Sequence, residues 1–276
     1  MSEASFYREA APRAGLAEFV HCVWFFEARA PDPEPQRIAP DGRAELIVHI
    51  GAPHAERGDL GDHVQPPILF AGQLTAPLTL VAIGPPAVLG VRFRPDGARA
   101  FLGHDADIAT DKRIDLTHWD GAEELLEAAR AARDWERRMA LAQDFVAARV
   151  QDAHLDALVR AEVTRLLDGG EPHGGEGVSE RQMQRRFKAE VGVSPRLLQS
   201  ILRFRRVFDA IEHPQTSGWV EAALAAGYFD QPQMARDFRR FLGCTAREWA
   251  RQRAGLAKAL TAAPETYKKR RGGADT

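Results

Sequence analysis

The chain has 276 residues, 45% of them hydrophobic and 28% charged, with 37 Lys and Arg against 39 Asp and Glu. That length suits one large domain or two modest ones, and that composition excludes a wholly disordered chain. No apolar run approaches the ~18 residues of a membrane span, no apolar leader opens the chain, and Cys22 and Cys244 cannot build a disulfide framework or a four-cysteine zinc site, so a reducing cytoplasm is expected.

Charge is unevenly spread. Residues 1–154 carry 16 Lys and Arg against 24 Asp and Glu, whereas residues 178–253 carry 14 against 8. An acidic part and a basic part imply two jobs, and only the basic part suits a polyanion.

Short runs of Val, Ile, Leu and Phe come first: Phe19–Phe26, Ala44–Ile50, Ile68–Ala71, Leu78–Ile83 and Val88–Phe93. Breakers such as Pro40-Asp41-Gly42 and Gly84-Pro85-Pro86 separate them. This spacing predicts an antiparallel sandwich or small barrel, a β-rich sensor or regulatory domain over 1–120. Helical spacing follows. A short helix is expected around Ala98–Leu102, then helices over Gly121–Arg133 and Trp135–Arg149, and 121–152 reads as a helical connector or a pair of dimerisation helices. From 153 to 253 the pattern is helical, beginning with Asp156–Leu167. One stretch interrupts it: residues 168–177 hold five glycines and a proline and cannot sustain a helix. Residues 254–276 form a basic tail ending in Lys268-Lys-Arg-Arg271 and then Gly272–Thr276.

An internal repeat carries the functional argument. At an offset of 51 residues, Ser179–Phe187 lies over Asp230–Phe238: Gln182 matches Gln233, Met183 matches Met234, Arg185 matches Arg236 and Phe187 matches Phe238. Gly192 then matches Gly243. Ser179 and Asp230 are both N-cap residues, because a side-chain oxygen there can accept from free amides of the first turn. Each copy has two faces. Met183, Phe187 and Val191, and in the second copy Met234, Phe238 and Leu242, form apolar stripes for burial. Arg181, Gln184, Arg185 and Lys188 share one polar face, and Gln233, Arg236, Asp237 and Arg240 share the other. Arg donates two hydrogen bonds to guanine O6 and N7, and Gln pairs bidentately with adenine, so Gln and Arg on one face suit base reading. Before the second copy, Trp219–Ala226 is Ala-rich and Gly227 follows, which predicts a helix, a turn and a second helix.

Ala225–Gly243 resembles the second helix-turn-helix of the AraC/XylS family of bacterial transcription regulators. Ser179–Pro195 resembles that family's first recognition helix with its trailing Gly-x-Ser-Pro, and Arg203–Ile211 resembles the helix joining the two modules. The resemblance covers about residues 155–252. More loosely, the first half resembles the β-rich, cupin-like domains found in some members. The resemblance implies an α+β protein: an N-terminal β-rich sandwich or barrel, then an all-α domain at 153–253 of seven helices in two modules. Each module would set one helix in a major groove of double-stranded DNA, ~34 Å apart. It implies a sequence-specific transcription regulator with DNA contacts from Arg181, Gln184, Arg185 and Lys188 in the first helix. In the second they come from Gln231, Gln233, Arg236, Arg239 and Arg240. Arg186, Lys188, Arg239 and Arg240 are phosphate or packing positions. RNA polymerase, a small-molecule effector and a second copy of the chain are the implied partners. Where the family has an Ala/Leu-rich helix before the first recognition helix, this chain has Gly169–Glu176, so that supporting helix is expected to be shortened or missing.

Arg43 and Glu45 alternate along one strand and Arg92 and Arg94 along another; they line an effector pocket or form a solvated face. His21, His49, His54 and His63 lack the spacing of a metal site, so neither metal nor cofactor is expected. No phosphate-binding Gly loop, nucleophile elbow or His-Glu-x-x-His occurs, so an enzyme is not expected. The alternative reading is a small-molecule-binding or enzymatic barrel whose degenerate helix-turn-helix serves as an interaction module.

Overall fold

The computed structural model describes residues 5–174, 177–211 and 219–251. The basic tail at 254–276 lies outside them. Among the described residues, ten strands form two antiparallel sheets. The larger sheet has six strands: β1 (Phe6–Ala10), β2 (Val20–Glu27), β4 (Glu45–His49), β7 (Ile68–Ala71), β9 (Ala87–Phe93) and β10 (Arg113–Asp115), in the order β1-β2-β9-β4-β7-β10. The smaller has β3 (Gln36–Ile38), β5 (His54–Gly58), β6 (Gly61–Val64) and β8 (Leu78–Ala82), in the order β3-β8-β5-β6. An ion pair at 2.8 Å between Arg113 on β10 and Glu56 on β5 ties the sheets together.

Alternation along each strand sends neighbours to opposite faces. Val23, Phe25, Leu46, Val48, Phe70, Leu89, Val91 and Phe93 share one face of the larger sheet and are buried. They pack against α1 (Ala98–Leu102), α2 (Ala122–Ala131) and α3 (Trp135–Val150). The helices over 121–152 are thus built into the N-terminal core, with Leu125, Met139, Phe145 and Val146 in the same cluster as the strands. The other face pairs Glu45 on β4 with Arg92 on β9. Here Trp24 lies flat over Gly90, where a Cβ would strike the indole.

The C-terminal part is all-α: α4 (Ala157–Leu167), α5 (Glu180–Val191), α6 (Pro195–Ile211), α7 (Trp219–Ala225), α8 (Gln231–Leu242) and α9 (Ala246–Arg251). Two cores sit side by side. Val159, Val163 and Leu166 of α4 enclose Met183, Phe187 and Val191 of α5 together with Leu198 and Leu202 of α6. Further along α6, Phe204, Val207 and Phe208 join Ala222, Met234, Phe238, Phe241 and Trp249. One helix therefore carries both modules. Among the described residues the domain has six helices where seven were expected. Among the described residues no helix lies between α4 and α5, because glycine pays the largest backbone entropy in a helix and residues 168–177 hold five.

Candidate nucleic-acid interface

Each repeat copy builds a capped helix. Ser179 Oγ accepts from the Gln182 amide at 3.3 Å, and Gln182 Oε1 accepts from the Ser179 amide at 2.9 Å, a reciprocal capping box. In the second copy Asp230 Oδ1 accepts from the Gln233 amide at 2.6 Å. Both helices end on the matched glycines, Gly192 at φ +90° and Gly243 at φ +69°, the left-handed region that side chains resist. The apolar stripes are buried as their spacing predicts: Met183, Phe187, Val191, Met234, Phe238 and Leu242 are all in the two cores.

The outer faces carry the cations. Arg181, Gln184, Arg185 and Lys188 on α5 are exposed, as are Gln231, Arg236, Arg239 and Arg240 on α8. Four of the nine expected contact residues are engaged within the protein, Arg240 by its guanidinium 5.3 Å over the Phe241 ring and three by polar contacts. Gln233 is half-buried and its Oε1 accepts from the Phe229 amide at 3.3 Å, one residue ahead of the N-cap amide position that Gln182 takes in the first copy. Gln184 Nε2 donates to Glu180 Oε1 at 3.1 Å. Lys188 Nζ pairs with Asp107 of the N-terminal domain at 3.2 Å. Arg186 is a packing residue: its Nε donates to Asp156 of α4 at 2.6 Å.

At the repeat position of Arg186 the second copy has Asp237, and this residue turns inward. It accepts from the Tyr228 hydroxyl at 2.9 Å and pairs with Arg203 of α6 at 3.4 Å, while the Arg203 guanidinium lies 4.8 Å over the Tyr228 ring. Burial and the Asp237 charge hold the Tyr228 hydroxyl well above the usual phenol range. This triad fixes the turn of the second module to the shared helix. Placing Asp237 on the polar face overlooked it; the change from Arg186 to Asp237 between copies was the available signal. Ahead of the turn, Ala222, Ala223 and Ala226 of α7 and the turn that follows are buried against α6 and α8, and Gly227 sits at φ +86°. In the first module the chain leaves α4 through a turn at Asp168 and Gly169, with Gly169 at φ +93°. An open cleft of about 890 Å³ separates the modules there, bordered by Glu162, Met183, Arg203 and Phe229.

The four N-terminal candidates divide. Arg92 Nε donates to Glu45 at 2.6 Å and lies 3.8 Å from Asp41, and the Trp24 indole donates to Glu45 at 3.3 Å. Arg43 stands beside this pair, its Nε buried without a hydrogen bond and its pKa lowered by burial. Arg94 points elsewhere, 4.0 Å from Asp96, which itself pairs with Arg160 of α4. Burial, then Arg43 and Arg92, lower the nearby His21 to about 4, and burial pushes the Cys22 thiol up to about 12. Among the described residues no three His, Cys, Asp or Glu side chains gather to hold a metal, and no helix is long and apolar enough to cross a membrane.

A pair of capped helices with basic outer faces, mounted on one helix behind a β-rich domain, is the build of a DNA-binding transcription regulator. Residues 175–252 match a family described as a helix-turn-helix domain, and residues 8–115 match a domain of unknown function, DUF6597. Over residues 175–252 the chain carries an AraC-type helix-turn-helix domain, the DNA-binding part of a transcription regulator. No curated protein matches it. Among solved structures, ToxT from Vibrio cholerae O395 is 10% identical with a TM-score of 0.43, over 92% of this chain and 99% of that one. ToxT from the same strain bound to (E)-4-(8-methylnaphthalen-1-yl)but-3-enoic acid is 8% identical with a TM-score of 0.44, over 89% of this chain and 97% of that one.

Proposed function

We propose that this regulator reads two successive major-groove segments on one face of the duplex, α5 taking one and α8 the other. The observation that carries the reading is the repeat itself. Two helices 51 residues apart present Arg185 and Arg236 at matched, exposed positions, and both are anchored on α6. Arg181, Arg185, Gln231 and Arg236 are the base readers; Arg239, Arg240 and a released Lys188 hold phosphates. Gln233 acts through the start of its helix, since its amide oxygen is already occupied. RNA polymerase and a second copy of the chain are its partners in the cell, and the cytoplasm its place.

The N-terminal domain supplies the signal. Its face with Tyr7, Trp24, Glu45 and Arg92 combines stacked rings with a half-buried ion pair, which suits a small polar effector with a flat apolar part. Arg43 completes that site; Arg94 belongs to the contact with α4.

Methylation interference on a bound duplex tests the two-groove reading. Guanine N7 methylation should block binding at two clusters, ~10 base pairs apart. A single cluster would leave one helix without a reading role.

A further inference from the structure

The second reading helix follows α7; among the described residues no helix stands at the matching place before α5, which packs on α4 and α6 alone within its own module. What lies against the far end of α5 instead is the N-terminal domain. Thr110 Oγ1 donates to the Gly192 carbonyl at 2.7 Å, Arg99 of α1 donates to Glu190 at 2.6 Å, and Asp107 pairs with Lys188. The fit is close, because a Cβ on Gly192 would come within 3.0 Å of Thr110 Oγ1 and 3.2 Å of the Ala106 carbonyl. Glu190 is 6% exposed and sits in the last turn of its helix, where the helix dipole disfavours an anion. Burial raises its pKa and Arg99 opposes that rise. Arg99 and Thr110 thus answer the two groups that α5 cannot satisfy by itself, a buried carboxylate and a terminal carbonyl.

The same domain holds the second reading helix at nearly the repeat-equivalent point. Arg37 Nη1 donates to the Leu242 carbonyl at 2.7 Å, a cation on a helix C-terminus. Beside it Ala39 is buried within the core of the second module, and Gly42 lies against Leu198 of α6. Two segments of one β-rich domain, 37–42 and 99–110, therefore touch both reading helices at their C-terminal ends and the helix that joins them.

We propose that the N-terminal domain is a structural part of the DNA-reading head, holding both reading helices by their C-terminal ends and standing in, at the first, for the absent supporting helix. Arg99, Thr110 and Arg37 are positioning residues: they touch no DNA and act through α5 and α8. The inference rests on α5 and α8 being the readers. It separates from the opposite idea, that the domain masks the helices, by the sign of the effect. Loosening a support weakens reading; loosening a mask strengthens it.

The test uses the full chain and the variants Arg99→Ala and Thr110→Val, the second leaving charge unchanged. Amide hydrogen exchange should show α5 losing at least tenfold protection in both variants while α8 keeps its own. Duplex selection should show preference lost in the block read by α5 and kept in the block read by α8. For Thr110→Val the salt dependence of binding should stay as in the parent, whereas a lost phosphate contact lowers its slope by about 1. Unchanged α5 protection, or tighter binding by the variants, overturns the proposal. Lost protection with both sequence blocks intact upholds the support and overturns α5 as a reader. Arg37→Ala gives the converse pattern, with α8 loosened and α5 unmoved.

Discussion

At the scale of single residues, exposure separates readers from supports. Arg236 is exposed on α8, whereas Gln233 and Asp237 beside it are engaged within the protein. Arg236→Ala should cost roughly 1–3 kcal/mol on the preferred site and relax preference at one position. Arg239→Ala should instead weaken all duplexes alike and lower the salt slope by about 1, both read by titration at two salt concentrations. Asp237 behaves differently, being enclosed with Arg203 and Tyr228. Asp237→Asn leaves the Arg203 charge without its partner and should destabilise the second module by about 3 kcal/mol; Tyr228→Phe removes one hydrogen bond and should cost about 1 kcal/mol. Denaturant unfolding measures both. The Met and Phe stripes were legible because burial follows helical period. The inward turn of Asp237 was not, because periodicity assigns a residue to a face and the partner on α6 is distant in sequence.

At the scale of elements, the long strands and helices were legible and the short polar ones were not. Val20–Glu27, Ile68–Ala71 and Ala87–Phe93 announce themselves by runs of branched and aromatic side chains. By contrast β5 (HAERG) and β6 (GDHV) are polar, β6 exposed along its length and β5 at its far end, and β1, β3 and β10 are edge strands of three to five residues. Pairing, rather than composition, makes them strands. The gap before α5 was legible from its glycines; what lies against α5 from the N-terminal domain was not, because the contacts join residues 82 and 91 apart in sequence. Caps give a clean test at this scale. Ser179→Ala and Asp230→Ala should each cost about 1 kcal/mol and raise exchange in the first turn of α5 or α8 alone. Equal exchange in both helices for either variant would show that the two modules unfold as one.

At the scale of the whole molecule, the acidic β-rich part and the basic helical part are joined by charge as well as by packing: Asp96 to Arg160, Asp107 to Lys188 and Arg99 to Glu190 all cross the boundary. The N-terminal domain also buries two histidines side by side. His49 bonds to Gln65 at 3.0 Å, its ring lies 5.7 Å from that of His54, and burial, reinforced by His54, lowers its pKa to about 4. Because the folded value lies below the unfolded one, the native state favours the neutral ring. Its contribution to stability is complete above about pH 6.5 and is lost as pH falls toward 4. The melting temperature should therefore drop across that window, and His49→Gln should flatten the drop. The alternating charges at Arg43, Glu45, Arg92 and Arg94 were legible; that Arg92 is held by Glu45 and Arg94 faces Asp96 required the strand register and the docking of α4.

The most direct measurement is selection of the full chain against a random-sequence duplex pool, sequenced at two salt concentrations. The account predicts enrichment of two short blocks about one helical turn (~34 Å) apart, with retention falling as salt rises. One enriched block would contradict the two-helix reading, and retention without any enriched sequence would contradict base reading by α5 and α8 altogether.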